Sequence, residues 1–185
     1  MSAFLVEPSF PRAWSAQILP RRPLILPARQ FVYPKQADDI ERGALEVMVR
    51  PANADPFLAT FALGFADPAA PTGLWSCPDP DWLCAVAGGY AYLVNTREPE
   101  QFNQIEYRPV LLVRALPSHG LLHFAGHHSL LAWAAHGLLW QTERLSSEGI
   151  EITRIEGDRL EGSGWDLMSD RDVPFAIDLR TGARP

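Results

Sequence analysis

Residues 173–182 read VPFAIDLRTG, with an apolar side chain at every second position of the first seven. Side chains alternate across a strand, so Val173, Phe175, Ile177 and Leu179 share one face while Pro174, Ala176 and Asp178 take the other. Arg180-Thr181-Gly182 then ends the run with turn residues. Working backwards, Ile150 and Ile152 alternate with Glu151 and Thr153, the group 156–159 (EGDR) supplies a turn, and 160–165 returns as a second strand. The whole of 121–182 has this form, short apolar runs punctuated by glycine, which is the spacing of an antiparallel meander.

Within it, 129–147 is where a helix competes. Leu131, Ala134, Ala135, Leu138 and Leu145 fit a helical stripe and Ser129 fits an N-cap. Gly137 opposes the helix, because a mid-helix glycine costs about 1 kcal/mol relative to alanine. The same residues read as strands at 130–133 and 138–145, with His136-Gly137 as their turn.

Upstream the strand signals continue. Leu45, Val47 and Val49 alternate with Glu46, Met48 and Arg50 up to Pro51, and 57–65 is apolar on both faces, as in a central strand. Apolar runs at 83–87 and 90–94 flank Gly88-Gly89, a two-residue turn suited to a hairpin because glycine accepts positive φ at both positions. Residues 110–116 form another strand, 117–120 (PSHG) turn, and 121–124 follow. Residues 1–34 hold six of the 17 prolines and read as a proline-rich N-terminal arm running extended over a surface. Leu24-Ile25-Leu26 and Phe31-Val32-Tyr33 read as short strands anchoring it. Such an arm packs on its own domain or is exchanged with a second subunit, which gives the expectation of a homodimer.

About ten strands and no secure helix predict an all-β protein, with the arm at 1–34 and a single all-β domain over 35–185. An antiparallel meander of this kind forms a sandwich or irregular barrel. The phrase FAIDLRTG resembles the way blades end in several β-propeller repeat families, and 129–182 has about the length of one four-stranded blade. That resemblance implies a propeller-like sheet, but no second copy of the phrase occurs upstream, so the sandwich or barrel stands first and the propeller-like sheet is the alternative.

Composition narrows the function. Sixteen basic against 22 acidic residues give a formal charge of −6, with Arg21-Arg22 the densest basic cluster, so neither nucleic acid nor an anionic membrane is an expected partner. No stretch approaches the ~20 uninterrupted apolar residues of a membrane-spanning helix. The start of the chain has neither a basic segment nor a long apolar run. These features predict a cytoplasmic protein in which Cys77 and Cys84 are reduced thiols. Walker loops, dinucleotide fingerprints and nucleophile elbows are all missing from the sequence.

Three groups remain as candidates for chemistry. All five histidines lie between 119 and 136, and imidazole both ligates metals and titrates near neutrality. His123, His127 and His128 are the candidate ligands, although the strand reading puts His123 mid-strand, His127 and His128 in the turn after Phe124, and His119 and His136 in separate turns, so that the plainer reading is polar turn residues and one packed histidine. Asp79 and Asp81 in CPDPDW suit calcium ligation or an acid–base pair, and equally suit turns that bond their own backbone. Six tryptophans exceed the average for this size, and Trp75 and Trp82 precede the hairpin that carries Tyr90 and Tyr92. Aromatic walls with the two aspartates are the make-up of a small-molecule pocket, while the plainer reading of the rings is core packing.

The expectation from sequence is therefore a soluble, non-catalytic binding protein with no cofactor. It takes a small ligand at Trp75, Asp79, Asp81, Trp82, Tyr90 and Tyr92, or a protein partner. The alternative is a metal-dependent enzyme using the histidine segment 119–136.

Overall fold

The computed structural model describes residues 5–35, 42–64 and 69–185. Phe65, at the end of the strand expected over 57–65, lies outside them, as do residues 1–4 of the arm and residues 66–68. The described chain is nearly all β, arranged in four sheets that do not close into a barrel. It divides into two compact units, 1–109 and 110–185.

In the first unit one sheet has the strand order β1-β6-β7-β8-β9, with β1 Leu5–Glu7, β6 Gly73–Ser76, β7 Trp82–Ala87, β8 Tyr90–Asn95 and β9 Phe102–Gln104. The other runs β2-β4-β5-β3, with β2 Trp14–Leu19, β4 Ala44–Pro51, β5 Phe57–Ala62 and β3 Gln30–Tyr33. The two sheets share one apolar core. Leu45, Val47, Val49, Phe57 and Phe61 from one sheet pack with Leu74, Leu83, Ala85, Tyr92 and Val94 from the other, the arrangement of a sandwich. The expected hairpin is present, with Gly88 and Gly89 at φ of +56° and +80° and Ala87 opposite Tyr90.

The three strands of the arm join the sheets of their own chain, β1 parallel to β6, β2 antiparallel to β4 and β3 parallel to β5. One expectation fails here: Leu24-Ile25-Leu26 form no strand, and Leu24 and Ile25 are 95% and 90% exposed. Pro20, Pro23 and Pro27 explain this, since prolines at that spacing cannot donate the hydrogens that a ladder needs.

The second unit is a meander in strict chain order. β10 Leu112–Leu116, β11 Leu121–Ala125, β12 Leu130–Ala134 and β13 Gly137–Gln141 form one sheet. β14 Glu148–Glu156, β15 Arg159–Asp166 and β16 Arg171–Asp178 form the next. The segment 129–147 thus holds two strands rather than a helix, but their turn is Ala135-His136, one residue earlier than expected, and Gly137, at φ +114°, opens β13, which ends at Gln141 rather than at 145. A core of Leu121, Leu130, Trp140, Leu160, Phe175 and Ile177 spans both sheets. Phe175, Ile177 and Leu179 are buried as the alternation requires, but Val173 on the same face is 43% exposed because β16 runs past the edge of that core.

The phrase FAIDLRTG closes this core. Asp178 Oδ1 accepts from the Arg180 and Thr181 amides at 2.7 and 3.1 Å, and the Gly182 amide returns to the Asp178 carbonyl at 2.8 Å. Gly182, at φ +72°, lies against the Trp140 ring, whose Nε1 donates to the Leu179 carbonyl at 2.8 Å.

Candidate functional site

The aromatic residues expected to line a pocket fall on opposite faces of one sheet. Directly opposed residues share a face, and the register sets Trp75 against Cys84 and Cys84 against Leu93. Tyr92 opposes Ala85, on the other side. By the same alternation Trp82 goes with Cys84, and Tyr90 with Tyr92. Tyr92 is fully buried in the sandwich, where its hydroxyl donates to the Ala62 carbonyl at 3.0 Å and its ring lies 5.5 Å from Phe61. Tyr90 is half-buried, with the Arg108 guanidinium 4.5 Å from its ring centre. Trp75 is 2% exposed, and its Nε1 has no hydrogen-bond partner among the described residues.

The two aspartates hold the turn between β6 and β7. Asp79 Oδ1 accepts from the Asp81 amide at 2.9 Å, the local bond that aspartate makes in tight turns, and Asp81 Oδ2 pairs with Arg97 at 3.3 Å. The Asp81 carbonyl accepts from both the amide and the hydroxyl of Thr96. Cys77 and Cys84 are buried free thiols, and burial pushes both well above the ordinary thiol range.

The histidines are spread as the strands dictate. His123 is fully buried on β11, opposite Ala132 and Arg114, with its ring 5.7 Å from Trp140. Neither of its ring nitrogens has a partner among the described residues, and burial, with Arg114 adding to it, lowers its pKa to about 4. His127 and His128 occupy the turn from β11 to β12, with ring centres 5.9 Å apart, and His128 Nδ1 donates to the Ser146 carbonyl at 3.2 Å. Among the described residues no three His, Cys, Asp or Glu side chains converge as a metal-ligand set.

His119 ties two turns together. Its Nε2 donates to the Gly157 carbonyl at 2.9 Å, with Asp158 Oδ1 at 3.4 Å, and its Nδ1 lies 3.0 Å from the Ser118 hydroxyl. The residue types are those of a hydrolytic triad, yet the closest acceptor of the imidazole proton is a backbone carbonyl. Gly120 N–H, next to the group, is committed to the Pro117 carbonyl at 3.1 Å. The arrangement therefore works as a clasp between the two sheets of this unit.

Two features were not expected from sequence. The first is the loop 20–29, pinned at both ends while its tip projects. Arg22 Nη1 reaches Glu46 Oε1 at 3.1 Å and Thr60 Oγ1 at 3.0 Å, and the Thr60 hydroxyl donates to Glu46 Oε2 at 2.8 Å, all over the register pair Glu46–Thr60. Arg29 donates to the Asp55 carbonyl at 2.8 Å and lies over the Phe31 and Phe57 rings. The triple proline spacing was the sequence signal for this projection. The second is a cleft in the second unit between the connection 142–147 and the end of β15, and nothing in the local pattern of either segment marks it.

The fold and these features define an all-β protein of two compact units with an apolar loop on the first and a cleft in the second. No family model matches the chain, and no curated protein shows significant sequence similarity to it.

Proposed function

We propose that the protein is a non-catalytic binding module that docks on a protein partner through the loop 20–29, and that a second copy of the chain is the first partner to test. The observation carrying this reading is the near-complete exposure of Leu24 and Ile25 at the tip of a loop whose ends are held by Arg22 and Arg29. Large aliphatic side chains held out in water forgo about 1.5–3 kcal/mol each relative to burial. A pinned loop also loses little further entropy when it is covered. Arginines 21, 22 and 29 flank the tip, whereas the whole chain carries a charge of −6, so another copy offers the acidic surroundings this loop prefers. Buried reduced thiols fit the cytoplasmic location expected from sequence.

Sedimentation velocity over micromolar concentrations tests the dimer. The expected result is self-association in the wild type that is lost in a Leu24→Asp/Ile25→Asp variant with unchanged circular dichroism. A wild-type monomer removes the second copy as partner. A photo-crosslinking residue at position 24, compared with one at the exposed His136, then tests for another protein, and no discrete adduct specific to position 24 ends the reading.

A further inference from the structure

The cleft in the second unit has a volume of about 330 Å³, within the range of small-molecule sites. Its construction starts at Gly164. A Cβ there would come within 2.6 Å of Ser146 Cβ and 2.8 Å of the Leu145 carbonyl, so only glycine lets the connection 145–147 lie directly on β15. Two bonds to β15 fix that contact and a third orients the Ser146 hydroxyl. The Ser147 amide donates to the Trp165 carbonyl at 2.7 Å, the Ser146 hydroxyl donates to the same carbonyl at 3.1 Å, and the Glu148 amide donates to Ser146 Oγ at 3.1 Å.

On this base Arg144 is locked beside the opening. Its Nε donates to the Ser146 carbonyl at 3.0 Å and its Nη2 to the Ser147 carbonyl at 3.1 Å. A guanidinium has five N–H donors, so those bonds orient the group and leave donors over. Arg184, exposed on the C-terminal tail, is a second arginine lining the same cleft. Ser147 Oγ accepts from the Leu167 amide at 3.1 Å, which leaves its own proton to donate. Leu145, Trp165 and Val173 supply apolar wall.

We propose that this cleft binds a small monocarboxylate with an apolar or aromatic body, its carboxylate held between Arg144 and Arg184. Two guanidiniums and the Asp166 carboxylate leave one net positive charge, which matches one negative charge. Asp166 is an exposed carboxylate, anionic near neutrality, and the Ser169 hydroxyl and amide that bond it at 2.7 and 3.0 Å hold its pKa below the usual range. A dianion such as phosphate would meet Asp166 and find no use for the apolar wall. The planar guanidinium fork fits a carboxylate in two parallel bonds, and Leu145, Trp165 and Val173 cover the ligand body.

Titration of the full-length protein with phenylacetate, phenylacetamide and inorganic phosphate, followed by the indole N–H resonance of Trp165 assigned with Trp165→Phe, tests the proposal. Phenylacetate is expected to give a saturable shift, and Arg184→Gln to weaken it about tenfold, the loss of one charged hydrogen bond. Arg184 lies on the exposed tail, so this variant keeps the fold. Asp166→Asn is expected to strengthen binding. Four outcomes would each overturn the proposal: no saturation at millimolar phenylacetate, equal binding of the amide, tighter binding of phosphate, or unchanged affinity in Arg184→Gln.

Discussion

The hydroxyl of Tyr92, on β8, donates at 3.0 Å to the carbonyl of Ala62, at the end of β5, and so joins the two sheets of the N-terminal sandwich by a buried hydrogen bond. A ring fully enclosed beside Phe61 contributes by burial, and its hydroxyl satisfies a carbonyl at a strand end. Tyr92→Ala is expected to lower stability by roughly 3–5 kcal/mol in urea unfolding. Tyr92→Phe should cost about 1 kcal/mol, because the ring stays and the hydroxyl's bond to Ala62 is lost. A Tyr92→Ala protein as stable as the wild type would contradict this role.

His123 links stability to pH with a defined sign. Its folded pKa of about 4 lies below the ordinary 6.5, so between those values the unfolded chain takes up a proton that the folded chain refuses. Stability is complete above about pH 6.5, falls by about 1.4 kcal/mol per pH unit as the pH drops, and stops falling from this source near pH 4. His123→Leu removes the titration and should flatten that part of the curve. Parallel curves for the two proteins from pH 6.5 to 4 would disprove it. The same variant separates the metal-enzyme alternative, which requires stoichiometric zinc, iron or manganese that is lost with His123.

Gly182 and Gly157 both have positive φ, +72° and +55°, but only one faces an obstacle. A Cβ at 182 would fall 2.7 Å from Trp140 Cδ2, whereas one at 157 meets nothing within 4 Å. Gly157→Ala is expected to cost about 1 kcal/mol, the backbone term alone. Gly182→Ala should cost about 1 kcal/mol more or beyond, and it should shift Trp140 fluorescence as the ring is displaced. Equal losses at the two positions would refute the packing argument.

Much of the fold was legible because it is written in local terms. Period-two alternation located β4, β14 and β16, and Gly88-Gly89 announced its hairpin, since each signal lies within one strand or one turn. The mispredicted triplet 24–26 had strand-forming side chains but a backbone that its prolines disabled. β1 and β3 pair in parallel with β6 and β5, partners that short-range periodicity does not name. The candidate pocket was illegible for a sharper reason. Alternation fixes which residues of one strand share a face, but the relation between β6 and β8 depends on the parity of the pairing through β7. That parity puts Trp75 with Leu93 and Tyr92 with Leu74, and only the assembled register reveals it. The cleft was hidden similarly, since Arg144, Gly164 and Arg184 are distant in sequence and meet through folding of the meander.

The strict chain order of β10 to β16 bears on how quickly each unit closes. In the C-terminal unit each strand within a sheet pairs with its immediate neighbour along the chain, so loop closure is brief and contact order is low, conditions for fast folding. The N-terminal unit is interleaved: residues 5–7 find their ladder partner only at 73–75, and 30–33 wait for 58–61. During synthesis β1 thus lacks its ladder partner until nearly seventy further residues have been added. Prolines at 8, 11, 20, 23 and 27 punctuate that waiting stretch, and residues that cannot extend a ladder protect a nascent chain from pairing with the wrong neighbour.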